Sequence, residues 1–428
     1  MFERTEEVKV MRDPIHGYIH VHYKVIWDCI NAREFQRLRR IHQLGGDFQV
    51  YHTAEHTRFS HSLGVYEIVR RMVEEIEELS RSLSEYEKCA AMLAGLLHDL
   101  GHGPFSHAFE AVSDCHHEQF TQRILLEDSE IHRILSAADV RLPQDVADII
   151  GYRYKNDLLN QLVSGQLDAD RMDYLLRDAY FTGTSYGTFD MERILRTIRI
   201  QDAHLAVKES GIHSVEDYIM ARYHMYWQVY LHPVARSYEI MIALLFERMK
   251  TLWKQKPSFF AGLEMFTPFL SGERVAIEAL FRLDEAAALY GFALLTQRSD
   301  PILRDLAARV LDRRLFAYTQ EEADTYAKIC PIAKANGYDP QYYVHRDHVT
   351  QKPYSPYKGR QGTHVIWIVD EQGTLSELSE KSAIVSALVD AKVKEQHLVY
   401  YPAELEPFLT PGADAHTRQS ACRNRAAG

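Results

Sequence analysis

The stretch KCAAMLAGLLHDLGHGPFSH, Lys88 to His107, decides the fold of this chain. From Cys89 to Leu97 it is apolar on nearly every side, which describes a helix buried at the centre of a domain. His98 and Asp99 close that helix one helical step apart, so both side chains can lean toward one cation. Gly101, Gly103 and Pro104 then end the helix and free the backbone to bring His102 and His107 back to the same place. Four ionisable groups within ten residues, beside an apolar helix, are expensive unless paired or bound to a metal. One histidine on an apolar helix reads as a satisfied core residue. The adjacent Asp99 changes that balance, provided that partners exist elsewhere in the chain.

Two such partners lie on either side. His61 sits in RFSHSLGV, Arg58 to Val65, directly before an amphipathic pattern in which Val65, Ile68, Val69, Met72, Val73, Ile76 and Leu79 recur at helical spacing. Asp170 sits in LDADRMDYLLRDA, Leu167 to Ala179, where Asp170, Tyr174 and Asp178 share one helical face. Taken alone, Asp170 and Asp178 read as a solvated acidic face with Arg171 and Arg177 as partners. Mixed imidazole and carboxylate donors suit one Mn, Mg, Fe, Co, Ni or Zn ion per subunit and do not choose among them.

The wider chain reads as mainly α. Its 428 residues, 46% hydrophobic and 25% charged, describe an ordinary globular protein with a large core. The segments GYIHVH at Gly17 to His22 and GDFQVYH at Gly46 to His52 predict a small N-terminal β-ribbon. Helical patterns follow over Val146 to Val163, Asp168 to Ala179, Val215 to His232, Tyr238 to Trp253 and Arg274 to Leu283. Residues 1–318 are expected to form the helical domain, and 319–410 a small α+β module with strands HVIWIVD and HLVYY around the helical SAIVSALVDAKV. Residues 411–428 lack apolar periodicity and read as a loose tail.

Charge and cysteine usage exclude several classes. A net charge of -11 opposes broad attraction to nucleic acid or anionic membrane. The first residues, MFERTEEVKV, carry charges where a signal segment would be apolar, so a cytoplasmic protein without membrane partners is expected. Cys29, Cys89, Cys115, Cys330 and Cys422 form no CxxC pair and are read as reduced thiols. Of the 22 histidines, 12 fall within the first 120 residues, which places the chemistry there.

The spaced set His61, His98, Asp99 and Asp170 resembles the HD phosphohydrolase superfamily. DPIHGYIHVH, EFQRLRRIHQLGG, RFSHSLGV, GLLHDLGHGPFSHAFE, HEQF and DADRMDYLLRDA are similar, in order from Asp13 to about Arg236, to the deoxynucleoside triphosphate triphosphohydrolases. The resemblance implies a helical HD core whose metal, held by those four ligands, binds the α-phosphate of a dNTP. Water then attacks phosphorus and releases deoxynucleoside and intact triphosphate. It assigns acid catalysis to His107 with Glu110, supporting roles to His102 and His117, and triphosphate contacts to Arg58, Arg171 and Arg222. Arg171 stands where the vertebrate members carry lysine. Gln43 and Asp178 match residues that recognise the sugar 3′-hydroxyl, Leu44 and Tyr174 match packing residues, and Tyr230 matches an aromatic that crowds the 2′ position. Leu44, Tyr174 and Tyr230 read equally as ordinary core.

The resemblance further implies an activating nucleotide and a homo-oligomer, with a tetramer favoured. Lys9, Val10, Gln36 and Arg39 match the activator-site words, whereas Asn31 replaces the aspartate that reads guanine. Lys352, Lys358 and Arg360 lie in a basic aromatic segment that serves equally as a phosphate contact or a solvated loop. Two other functions stay open: hydrolysis of another nucleotide or phosphate ester, and a non-catalytic nucleotide-sensing oligomer.

Overall fold

Ser84 starts the central helix with a capping box: its hydroxyl accepts from the Glu87 amide at 3.3 Å, and the Glu87 carboxylate accepts from the Ser84 amide at 3.0 Å. The helix runs Glu85–Leu97, with Cys89 to Leu97 buried. In this computed structural model, which describes residues 2–106, 108–110, 116–351, 357–359, 362–391 and 394–409, helices Arg58–Glu75, Leu142–Ile150 and Asp157–Ser164 pack around it. Residues 351, 357–359 and 362–364 are described as backbone alone, and the tail from 411 lies outside the described residues. Gly95 lets the Arg58–Glu75 helix approach closely, since a Cβ there would lie 2.9 Å from the Val69 side chain.

The architecture is mainly α, with an N-terminal strand pair. β1 (Arg4–Asp13) pairs antiparallel with β2 (Gly17–Tyr23) through a turn in which the Asp13 carboxylate accepts from the Ile15 and His16 amides. The expected partner of β2, Gly46 to His52, is instead a 3₁₀ turn, Asp47–Gln49. Cβ atoms on Gly45 and Gly46 would each meet a backbone oxygen, of Phe105 and Ala235, at 2.9 Å, so this segment is packed against loop and helix backbone rather than paired.

The helical patterns are present with altered limits. Val146 to Val163 is two helices, broken after Ile150 where Tyr152 takes φ 56°. Ala169–Thr182 is capped by the Asp168 carboxylate, which accepts from the Arg171 amide, and is ended by Gly183 at φ 71°. The Val215 to His232 pattern is an α-helix, Ile212–Met225, followed by a π-helical turn, Tyr226–Tyr230. Helix Pro233–Gln255 follows, and of Arg274 to Leu283 only Ile277–Phe281 is helical.

The remaining strands are β3 (Ile198–Gln201), β4 (His204–Lys208), β5 (Phe316–Gln320), β6 (His345–Gln351), β7 (Tyr357–Gly359), β8 (Gly362–His364), β9 (Trp367–Val369), β10 (Leu375–Glu377) and β11 (Lys394–Pro402). β11 lies between β5 and β6, antiparallel to both, while β9 joins β4 in parallel to give the order β10-β9-β4-β3. The Arg236 guanidinium ties the Pro233–Gln255 helix to β6 through Asp347 at 2.8 and 3.0 Å. No helix among the described residues is long and apolar enough to cross a membrane.

Candidate metal centre

Three helices bring the four predicted ligands together: His61 from the first turn of Arg58–Glu75, His98 and Asp99 from the end of the central helix, and Asp170 from the first turn of Ala169–Thr182. His61 Nε2 lies 3.0 Å from Asp170 Oδ1 and 3.8 Å from Asp99 Oδ2. His98 Nε2 lies 3.4 Å from Asp99 Oδ1 and 3.6 Å from Asp170 Oδ1. These separations are close to the roughly 3.4 Å between donors that share one ion at about 2.1 Å.

Each imidazole is aimed by its other nitrogen. His61 Nδ1 donates to Asp173 Oδ2 at 2.8 Å and His98 Nδ1 to the Gly95 carbonyl at 2.9 Å, leaving both Nε2 atoms turned toward the carboxylates. His98 Nε2 is buried and meets no hydrogen-bond partner, as a nitrogen reserved for a cation would. Burial alone would push the His61 imidazole down, but its bonds to Asp170 and Asp173 hold it up at about 10. Burial likewise opposes the charged form of His98, and the Asp99 and Asp170 carboxylates outweigh it. Against burial, His98, Arg58 and His102 hold the Asp99 carboxyl well below the usual range, and the two ligand histidines do the same for Asp170. A site that favours two carboxylates and extra positive charge fits a divalent cation.

Asp173 and Arg177 extend the support inward. Asp173 also accepts from His16 Nε2 at 2.6 Å and from Arg177 at 2.8 and 2.9 Å, and Arg177 reaches Asp13 at 2.8 Å. The turn of the β-ribbon is thereby bound to the site. Gly64 is required here, because a Cβ on it would fall 1.8 Å from Asp173 Oδ1. Sequence reasoning missed Asp13, His16 and Asp173, and named Arg177 only as a partner of the acidic face that Asp170 and Asp178 would present if taken alone. Their signal was their position within DPIHG and MDYLLRD.

A cleft of about 420 Å³ opens over the cluster, walled by Gln43, Leu44, Arg58, Asp99, His102, Ser106, His117, Asp170, Tyr174, Asp178 and Tyr230 among others. Arg58 crosses its floor, donating to Asp99 and, at 2.8 Å, to the Ser106 hydroxyl. His102 stacks on His117 with ring centroids 3.8 Å apart, and its Nε2 is 3.3 Å from Asp99 Oδ1. Burial and the Arg58 charge hold the His102 imidazole well below its ordinary value, so it is neutral. Glu110 bonds to His117 Nδ1; His107, its expected partner, lies outside the described residues. Asp178 accepts from Tyr230 at 2.8 Å and pairs with His56 at 2.7 Å. The π-helical turn sets Tyr226 and Tyr230 into the wall, and Gln43 Oε1 is buried there without a partner.

Arg171 and Arg222 are not in the wall of this cleft. Arg171 is turned back onto Asp168 and the Gly165 carbonyl, and Arg222 onto Gln166 at 3.4 Å. Of the residues expected at an activator site, Arg39 donates to Gln36 at 2.9 Å and lies over the Phe59 ring, and Asn31 donates to the Trp27 carbonyl. Lys9 and Val10 are on β1, with Val10 exposed. Lys352 and Arg360 lie outside the described residues, and Lys358 is described only as backbone of β7.

Residues 58–178, which contain all four predicted ligands, match the family model of the HD domain, and residues 189–325 match that of the HD associated region. The chain is 46% identical over 408 residues to the uncharacterized protein YwfO of Bacillus subtilis, covering 94% of each chain. It is 30% identical over 282 residues to the deoxynucleoside triphosphate triphosphohydrolase SAMHD1 of Danio rerio, a match covering 56% of this chain and 45% of that one. The crystal structure of a phosphohydrolase from Bacteroides thetaiotaomicron superposes with TM-score 0.79 at 29% identity, covering 92% of this chain and 100% of that one.

Proposed function

Because the chain belongs to the HD-domain family of phosphohydrolases, we propose that it hydrolyses deoxynucleoside triphosphates to deoxynucleoside and inorganic triphosphate, with His61, His98, Asp99 and Asp170 holding one divalent ion. The reading rests on one cleft in which that ligand cluster adjoins a sugar-sized wall of Gln43, Leu44, Tyr174, Asp178 and Tyr230. A divalent ion at this place supplies neutralisation of phosphate charge and a lower pKa for water beside it.

The protein groups do the rest. Arg58, fixed between Asp99 and Ser106, meets a phosphate oxygen at the floor of the cleft. Arg171 and Arg222 add charge for the outer phosphates once they turn from Asp168 and Gln166. The proton for the departing sugar oxygen comes from the set His107, Glu110 and His117, in which the Glu110 carboxylate supports the charged imidazole. Gln43 and Asp178 bond the 3′-hydroxyl, and the Tyr230 ring occupies the space that a 2′-hydroxyl would need. Catalysis is assigned to residues 1–318, with 319–410 peripheral. Nucleotide activation through Lys9, Val10, Asn31, Gln36 and Arg39, and assembly into a homotetramer, complete the proposal.

The test is substrate range: purified full-length chain with Mn²⁺ or Mg²⁺ and, separately, each dNTP, each NTP, dNMPs and a generic phosphodiester. Turnover confined to dNTPs and lost in Asp170→Ala supports the reading. Preference for the phosphodiester or the monophosphates overturns it in favour of another phosphate ester.

A further inference from the structure

We propose that the C-terminal sheet carries a second metal site, formed by Glu321, His348 and His397, for a divalent late transition ion such as zinc, nickel or copper. The strand register creates it. His397 on β11 stands directly opposite His348 on β6, and the Glu321 amide, one residue beyond the end of β5, donates to the His397 carbonyl at 2.9 Å. The three residues therefore form one row across three adjacent strands, about 4.8 Å per step, with their side chains on one face. His348 and His397 rings are 4.4 Å apart, and His348 Nε2 lies 2.6 Å from Glu321 Oε2. One donor atom from each of the three falls within 4.8 Å of the other two.

The surroundings favour closure on an ion. Both imidazoles are about half exposed, 52% and 40%, so small rotations can bring the donors to the roughly 3.4 Å separation that a shared ion requires. Glu395, two residues before His397 on the same face, lies 3.2 Å from His397 Nε2 and offers a fourth oxygen. Arg346 holds the other oxygen of Glu321 at 2.6 Å and also lies over the Tyr326 ring, which retains the guanidinium if Glu321 turns. Two imidazoles with one carboxylate select late transition ions over magnesium or calcium. The row continues the face on which Val399 and Tyr401 pack with Ile329 and Ala333, so an ion there would clamp β5, β11 and β6 at the open end of that small core. All three residues lie outside the matched HD domain segment, 58–178, and on elements separate from the HD cluster.

The experiment is calorimetric titration of Zn²⁺ into the metal-stripped full-length chain, beside the double variant His348→Gln/His397→Gln and the single variant Glu321→Gln. The result expected is one zinc equivalent fewer in the double variant, weaker binding of that equivalent in Glu321→Gln, and unchanged circular dichroism melting in EDTA for both. Full zinc stoichiometry at unchanged affinity in the double variant overturns the site, as does a Glu321→Gln titration indistinguishable from the parent. Retention of dNTP turnover in the double variant is expected, which separates this result from failure of the functional reading.

Discussion

Asp173→Asn tests the support of the metal cluster most sharply. The substitution keeps the shape but turns a carboxylate that accepts from His61, His16 and Arg177 into an amide, one end of which must now face a donor. Removing one member of a buried ion pair typically destabilises by about 3–5 kcal/mol, and Arg177 keeps Asp13 at 2.8 Å, so about 3 kcal/mol is expected here. His61 also loses the bond that aims its Nε2, and loss of such outer partners lowers metal affinity roughly 10–100-fold. Asp13→Asn is the companion, since it removes one of the two carboxylates that hold Arg177 without touching His61. Urea unfolding in EDTA and Mn²⁺ titration of the folded proteins separate the two effects. Both variants should lose stability, and only Asp173→Asn should lose metal affinity beyond tenfold. Parent-like Mn²⁺ affinity in Asp173→Asn would refute the argument and leave Asp173 a core ion pair.

Other consequences follow from single contacts. His42, held between Glu285 and Glu55, is opposed by burial yet kept up at about 9 by those carboxylates, above the ~6.5 of a free imidazole. Its contribution is therefore full below about pH 6.5 and lost as pH rises through about 9, worth about 1–2 kcal/mol after screening; His42→Gln should flatten urea stability over that window. Gly101→Ala places a Cβ 2.0 Å from the His117 carbonyl oxygen and should destabilise by about 2–3 kcal/mol in the same assay. Tyr230→Ala removes the ring beside Asp178 and should reduce the dNTP-over-NTP ratio of kcat/KM roughly tenfold or more.

The central helix was legible because an all-apolar run ending in His98 and Asp99 has few other uses, and the helix after His61 because its apolar positions keep one period. β1 was not, since RTEEVKVMRD exposes most of its side chains and gives no clean alternation. The parallel pairing of β9 with β4 was hidden by its range, because partners some 160 residues apart leave no local trace. Ligand types could be read from residue chemistry once the family words were recognised. The burial of Asp173 and Arg177 could not, because on a helix their spacing is the same as that of an exposed ion pair. Glu110 illustrates the same limit: the fold brings His117 to it from seven residues away, a contact that the i, i+3 spacing with His107 does not announce.

The most direct measurement of the central claim is ³¹P NMR of the products formed from a single dNTP, with and without a second dNTP, by the full-length chain and by Asp99→Ala. The account predicts intact inorganic triphosphate with equimolar deoxynucleoside, stimulated by the second nucleotide and absent from the variant. Pyrophosphate with deoxynucleoside monophosphate, or equal turnover by Asp99→Ala, would contradict it.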